Sequence, residues 1–593
     1  MTRSALLLLA TSLIAAAADQ PPPALNVAAF GARSGDGSDT TPAVRAALEE
    51  GRRTKAARLS FAPRRYDFWP DRAVEKYLFI SNNDEGLKRV AFSLFGLENL
   101  EIDGQGAQFV FHGFVTPFVL DHSRNITLKN FSVDWKRTFH SEGRILAVGE
   151  DTVDLEIPEQ FPYKLQSGLI VFTGEGKDLT PFGNLLEFDV KKLETAYMAR
   201  DYYTGPNVQA VAIGPRQVRL TVPKFEGKPG NILVFGALNR LIPGITISDS
   251  VGVKLAAIDI YHCGWMGVIA QRSQDIELDH IQVTPAPGSG RIVSITADAT
   301  HFVNCTGRIV ISHCLFENQK DEATNIHGIY AQVTRQISPN QIEVKLVHPH
   351  QFGFDFIRPG DRLELVHGPS MLTYAEAAVK AAERQNAEYT LVTFAAALPR
   401  EMKTGDVVAS IEYPDVTIRN STFRSNRARG LLLGSRGKIV VEDNLFHIAG
   451  AAILMEGDAS FWFEQAGVRD MVIQRNRFDN CNFGVWGKAT IEVGAGIAQA
   501  LRAAVQPQYR HRRQRLPRLR RPTPGESLFG GRHDHSQQPD RTDRGLPAAA
   551  SARRREGVRY HREFQHPHRA VRVTAGGGLV TTVWSLARPS ATC

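Results

Sequence analysis

At 593 residues the chain is about four times the length of an ordinary single domain, so a small one-core fold is excluded. Its 43% apolar and 22% charged residues exclude wholesale disorder, and five irregularly spaced cysteines exclude a disulfide scaffold or a cysteine zinc site. The net charge of +8 belongs to one end. Beyond Lys488 stand 19 arginines, no lysines and 7 acids, which leaves residues 1–488 at about −4 and removes a nucleic-acid role for the body.

Residues 1–18 have the form of a secretory signal: Arg3, a short apolar run from Leu6 to Ile14, then Ala16-Ala17-Ala18 as a small-residue cleavage site. The expectation is a secreted or periplasmic protein. No run of 18 uninterrupted apolar residues follows, so no membrane span is expected. Thr41 as N-cap, Pro42 at the first helical position and Gly51 as a stop predict one short helix over 42–50.

The body repeats one written pattern, an aliphatic residue, four intervening residues, then an aliphatic or Phe. It occurs at Ile126–Phe131, Val253–Ile258, Ile276–Ile281, Ile311–Phe316, Ile418–Phe423, Val441–Phe446 and Ile473–Phe478. Ile258 to Ile281 and Phe423 to Phe446 are each 23 residues apart. A period in the low twenties suits a leucine-rich repeat or a parallel β-helix, and the several leucines per turn that the former needs are absent. The predicted fold class is all-β, a right-handed parallel β-helix with two inserted small β-barrel or sandwich domains. The cap and first coils take residues 24–143, insertions take 144–240 and 332–413, and further coils take 241–331 and 414–493. Within the second insertion, residues 371–384 have a helical composition. Cys305 and Cys314 are close enough in sequence to pair.

The densest polar cluster is Asp298-Ala299-Thr300-His301, followed one period later by Asp321-Glu322-Ala323-Thr324-Asn325-Ile326-His327. Asp298 and Asp321 are 23 residues apart, so coil stacking would bring Asp298, Asp321 and Glu322 into one patch, about 4.8 Å apart per rung, with His301, Asn325 and His327 around it. Three carboxyls that close raise at least one pKa and leave an acid and a base together, the tools of glycoside hydrolysis. Turn-forming Asp and Asn, or a calcium site, remain open on spacing alone. A second group has the aromatic and amide character of a sugar site: Trp69; Asn82, Asn83 and Asp84; His140 and Glu142; and Asp458, Trp462 and Glu464.

Tyr66-Asp67-Phe68-Trp69-Pro70, the run from Glu75 to Asp84, Ile102-Asp103-Gly104-Gln105-Gly106, Phe139-His140-Ser141-Glu142-Gly143 and Asp298-Ala299-Thr300-His301-Phe302 resemble the α-1,3-galactosidases of glycoside hydrolase family 110. The likeness runs from about residue 25 to 494. It implies a right-handed β-helix with inserted barrels and an exo-acting glycosidase removing terminal α-1,3-linked galactose from glycans of blood group B type. It also implies inversion, an α-galactosyl glycan as partner, and no metal or other cofactor. Asp298, Asp321 and Glu322 match the family's active-site carboxylates, Glu322 standing where a second aspartate is common. A β-helix pectinase or polysaccharide lyase is the alternative enzyme, and a non-catalytic glycan-binding adhesin is the alternative class.

Residues 494–593 match nothing in that family. Arg502 to Arg572 holds 18 arginines in 71 residues, mixed with Pro, Ala and His and without Lys. That is what GC-rich codons give when read out of phase. Sequencing the locus is expected to find another frame that restores strand-type sequence after Glu492, and finding none would leave a basic nucleic-acid-binding tail or a disordered linker.

Overall fold

A computed structural model describes residues 22–494 apart from 84, 85, 177, 180, 205, 206, 238, 239, 241 and 466. Beyond 494 it describes only the backbones of Tyr509–His511, Val573–Ala575 and Gly578–Val580, the last two an antiparallel pair in a separate unit. The signal segment and the side chains of the Arg-rich tail thus lie outside the described residues.

The described body is a right-handed parallel β-helix. Its strands form long parallel sheets in which each pairs with the equivalent strand one coil away, as Val253–Ile260 does with Ile276–Val283. Long strands such as Val251–Ile260 bend across two faces, and a second sheet runs through Thr116–Asp121, Ile245–Ser248, Val268–Gln271, Thr300–Val303, Thr324–Ile329, Leu431–Leu433 and Ile453–Met455. Each aliphatic–x4–aliphatic motif places its two apolar ends inside on consecutive faces. Residues at one position therefore stack into columns, as do Phe316, Phe423, Phe446 and Phe478 with ring centroids 5.6, 5.3 and 5.1 Å apart. Inward polar residues also run in ladders, which satisfy buried backbone groups at the bends. Ser250 N donates to Ser273 Oγ (3.1 Å) and Asn444 Nδ2 to Asn476 Oδ1 (3.0 Å).

The N-terminal helix spans Thr41–Thr54 rather than stopping at Gly51. Thr40 is the N-cap and makes no side-chain cap bond; Asp39 Oδ1 instead accepts from Thr41 N–H, and Lys55 ends the helix in the left-handed region. The glycine stays helical because the turn beyond it still closes the first coil: Ala56 N–H bonds the Gly51 carbonyl at 2.9 Å.

Two antiparallel domains interrupt the winding. The first is an eight-stranded sheet that begins at Ser141–Val148 and ends at Ile232–Ala237, with a three-stranded sheet, Tyr163–Leu179, beside it. The second is a closed six-stranded barrel from Ala331–Ser338 to Val407–Ser410. Within it Leu372–Arg384 is a 13-residue strand, not a helix. Its alanines favour helix intrinsically, but pairing with Arg362–His367 on one side and Tyr389–Phe394 on the other closes the barrel and overrides that preference.

Cys305 and Cys314 are free. They sit at opposite ends of the strand Thr306–Ser312, each buried with its thiol turned to a carbonyl, and burial pushes both up to about 12. Truncating one ring of the phenylalanine column tests the stack. Phe446→Ala should cost about 3–5 kcal/mol of unfolding free energy by chemical denaturation, because Phe423 and Phe478 cannot close the gap between rungs.

Candidate active site

The stacking register decides which acids meet. Thr300 pairs with Thr324, a step of 24 rather than 23, and Ala299 N–H bonds the Glu322 carbonyl at 2.9 Å. Glu322, not Asp321, is therefore the residue stacked on Asp298, a correction to the period counted from sequence. Asp321 stands one position earlier, at the turn entering the strand. Thr324 pairs in turn with Leu431, which puts Arg429 on the next rung of the same column.

One carboxylate oxygen from each of Asp298, Asp321 and Glu322 lies within 4.8 Å of the others. All three line a cavity of about 340 Å3. His301, Asn325, His327, Asn82, Asp458, Trp462 and Glu464 line the same cavity. Glu464 arrives by a local device: Glu464–Gln465 pairs antiparallel with the end of the strand Thr324–Ile329, bringing Glu464 Oε1 to 3.5 Å from His327 Nε2. Asp458 accepts N–H groups from Ser460 (2.7 Å), Phe461 (2.8 Å) and Trp462, so its carboxylate builds the turn that presents Phe461 and Trp462 at the mouth. Phe461 and Trp462 remain 63% and 40% exposed.

The other expected residues lie elsewhere. Trp69 stacks on His112 with ring centroids 3.8 Å apart and donates Nε1–H to the Gly37 carbonyl (3.3 Å), fixing the first coils. Asn83 receives Lys88 Nζ outside the cavity lining. Asp84 lies outside the described residues. His140 and Glu142 are buried where the first inserted domain meets the helix. Glu142 Oε1 accepts from Ile292 N–H (3.0 Å) and Val293 N–H (3.3 Å) and faces His140 Nε2 at 3.0 Å. Burial pushes Glu142 up to about 7 and His140 well below the usual histidine range. The pair is a clamp between domains, closed to a sugar.

Sequence reasoning missed the cations. Arg427 Nη1 reaches Asp321 Oδ1 at 2.6 Å, and Arg429 Nε reaches Glu322 Oε1 at 2.7 Å. Arg427 also grips both oxygens of Asp201, a residue of the first inserted domain, at 2.8–2.9 Å, and Trp486 Nε1 donates to that carboxylate at 3.1 Å. Arg240 stacks over Trp265, 4.4 Å to the ring centre, and donates to Asn82 Oδ1 at 3.2 Å. The arginines 427 and 429 occupy the turn one coil after Asp321-Glu322. An 80-residue barrel stands between, which hid the spacing.

The charges separate across the cavity. Asp298 Oδ2 lies 2.7 Å from His301 Nδ1; burial raises its pKa well above the usual carboxylate range, helped by the charges of Asp321 and Glu464 and opposed by those of Arg240 and Arg429. Burial and the Glu322 charge raise Asp321 too, against Arg427 and Arg429. Its side chain keeps 31% of its surface exposed against 5% for Asp298, so desolvation acts more weakly on it. Burial also pushes the neighbouring Lys320 ammonium down to about 7. Burial thus favours the proton on both aspartates, while the guanidiniums of Arg427 and Arg429 favour negative charge on the Asp321–Glu322 side. Positive charge on two of the three carboxylates also occupies ground that a divalent ion would need.

Comparison with known proteins shows the family. Residues 141–233 match the family description GLAA-B beta-barrel domain I, and residues 341–408 match GLAA-B beta-barrel domain II. The chain is 41% identical over 470 residues to "Alpha-1,3-galactosidase A" of Shewanella woodyi, covering 77% of this chain and 76% of that one. It is 31% identical over 471 residues to "Alpha-1,3-galactosidase B" of Bacteroides thetaiotaomicron, covering 78% and 76%. Among solved structures, a family 28 exopolygalacturonase of Yersinia enterocolitica aligns over 84% of this chain and 70% of its own at 10% identity and a TM-score of 0.31. The adhesin PfbA of Streptococcus pneumoniae aligns over 83% and 85% at 9% and 0.32. With both barrel descriptions in place and a curated relative at 41% identity over most of its length, the chain belongs to glycoside hydrolase family 110, the α-1,3-galactosidases.

Proposed function

We propose that this chain hydrolyses terminal α-1,3-linked galactose from glycans of blood group B type, with inversion at the anomeric carbon. The observation that carries the reading is the convergence of Asp298, Asp321 and Glu322 within 4.8 Å, with Arg427 bonded to Asp321, Arg429 to Glu322 and His301 against Asp298. Asp298 is the general acid that protonates the departing oxygen. Asp321 and Glu322 hold the attacking water between them and take its proton. Each is tied to a guanidinium, which lowers its own nucleophilicity, while two acceptors that close hold one water by two hydrogen bonds. Inversion itself is drawn from the family resemblance: the three carboxyls stand within 4.8 Å in this structure, closer than the roughly 6.5–9.5 Å usual for single displacement.

A cavity of about 340 Å3 lies at the low end of the 300–1,000 Å3 range of ligand pockets, which suits a chain-end sugar rather than a threaded polymer. The exposed rings of Phe461 and Trp462 offer faces to the sugars beyond the scissile bond. Excess carboxyl groups, among them Glu456, Asp458 and Glu464, complement the positive charge that develops on the ring in the transition state. Residues 1–18 support export to where such glycans occur, and cell fractionation tests this.

Asp298→Asn and Asp321→Asn should each lower kcat on an α-1,3-galactosyl disaccharide by about 10²–10⁴-fold, with melting temperature little changed. Near-normal turnover in either would remove that residue from the mechanism. Proton NMR of the first-formed product should show β-galactose, and α-galactose first would mean retention. The raised Asp298 pKa sets the alkaline side of the pH profile: kcat/KM should fall as pH rises through it, because only the protonated form donates. Activity should survive EDTA, whereas a calcium-dependent pectinase would lose it.

A further inference from the structure

His301 and His327 line the cavity, yet their ring nitrogens are turned to the protein. His327 Nδ1 lies 2.7 Å from the Gly328 carbonyl, which can only accept, so that nitrogen carries a hydrogen. Burial holds His327 below the usual histidine range and pushes His301 down to about 4, so each ring carries one hydrogen at neutral pH. His327 Nε2 is then a bare acceptor. It faces His301 Nε2 at 3.0 Å, and two lone pairs do not share that distance; His301 Nε2 therefore holds its ring's hydrogen and donates it. Asn82 Nδ2 is a donor, because its amide oxygen is the end bound to Arg240, and at 3.4 Å it competes for the same nitrogen; the shorter 3.0 Å contact to His327 decides the tautomer. His301 Nδ1 is left as an acceptor 2.7 Å from Asp298 Oδ2, and that contact closes as a hydrogen bond only if Asp298 carries the proton.

We propose that His301 and His327 are not sugar ligands but a positioning string, anchored on the Gly328 carbonyl, that locks the tautomer holding one proton on Asp298. The proposal rests on Asp298 being the general acid. The groups facing the string are Glu464, 3.5 Å from His327; Asp321 and Glu322 across from Asp298; and the guanidiniums of Arg240 and Arg429. In turnover the Asp298 proton passes to the glycosidic oxygen as its bond to the anomeric carbon breaks, and water gives its hydroxyl to that carbon and its proton to the Asp321–Glu322 side. Ionised Asp298 then faces the bare His301 Nδ1, lone pair to lone pair, which favours its recapture of a proton; the one gained by the Asp321–Glu322 side is released as the products leave, and water relays an equal one to Asp298, so both sides return to their starting state.

His327→Leu tests this. Without its acceptor, His301 is free to move its hydrogen to Nδ1 and stabilise ionised Asp298. The alkaline limb of kcat/KM on an α-1,3-galactosyl disaccharide should move down by about one pH unit, with kcat at pH 7 lowered about 10-fold. On 2,4-dinitrophenyl α-galactoside, whose leaving group needs no proton, the loss should be several-fold smaller. His327→Gln, which can offer a carbonyl to His301, should restore most of the disaccharide rate and the limb. An unmoved limb, or equal losses on both substrates, overturns the string. In wild-type protein, a protonated-carboxyl infrared band at pH 7 that disappears in Asp298→Asn supports it without relying on a histidine variant, and absence of that band overturns it. If Asp298→Asn does not lose the disaccharide preferentially, Asp298 is not the acid and the underlying reading fails with the proposal. If it does, while His327→Leu keeps its limb, the string alone fails.

Discussion

Thr300 hydrogen-bonds beside Thr324, and Thr324 beside Leu431; this rung-to-rung register is the constraint from which the site follows. It lifts Asp298, Glu322 and Arg429 into one column at the turn before the strand, one rung apart. Backbone pairing on both sides fixes those heights, so the carboxyls meet without a mobile loop to position them. Burial of the apolar columns inside the coils is what holds the register.

Crowding three carboxyls is costly unless the charge is distributed, and the site distributes it asymmetrically. Arg427 and Arg429 sit on Asp321 and Glu322, whereas Asp298 is bonded to a neutral histidine. Carboxyls in unlike surroundings therefore stand a few ångströms apart. Arg427 is shared with Asp201, so the first inserted domain contributes to this balance although it adds no residue to the carboxylate trio. The second barrel contributes differently: Gln351 Nε2 bonds the Trp462 carbonyl at 2.8 Å and so supports the aromatic rim.

The repeating motif made the β-helix legible, because an inward residue at each bend of each coil leaves a fixed spacing in the chain. The same rule let Asp298, Asp321 and Glu322 be read as neighbours. It failed by one residue in register, since a turn can absorb an extra residue without disturbing the strands that flank it. His140 and Glu142 looked like a sugar site because buried polar clamps and binding sites use the same residue types; only the cavity lining tells them apart. Residues 371–384 looked helical because alanine preference is local and barrel closure is not.

From the chain alone came the coil period, the two interruptions, the three acids and the resemblance that names their chemistry, all properties written in residue type and near-neighbour spacing. Tertiary structure decided which polar residues reach the cavity, that arginines one coil beyond an 80-residue barrel neutralise two of the acids, and which ring nitrogen faces which carboxyl. Those depend on distances between segments remote in sequence, and the folded stack of coils is what sets them.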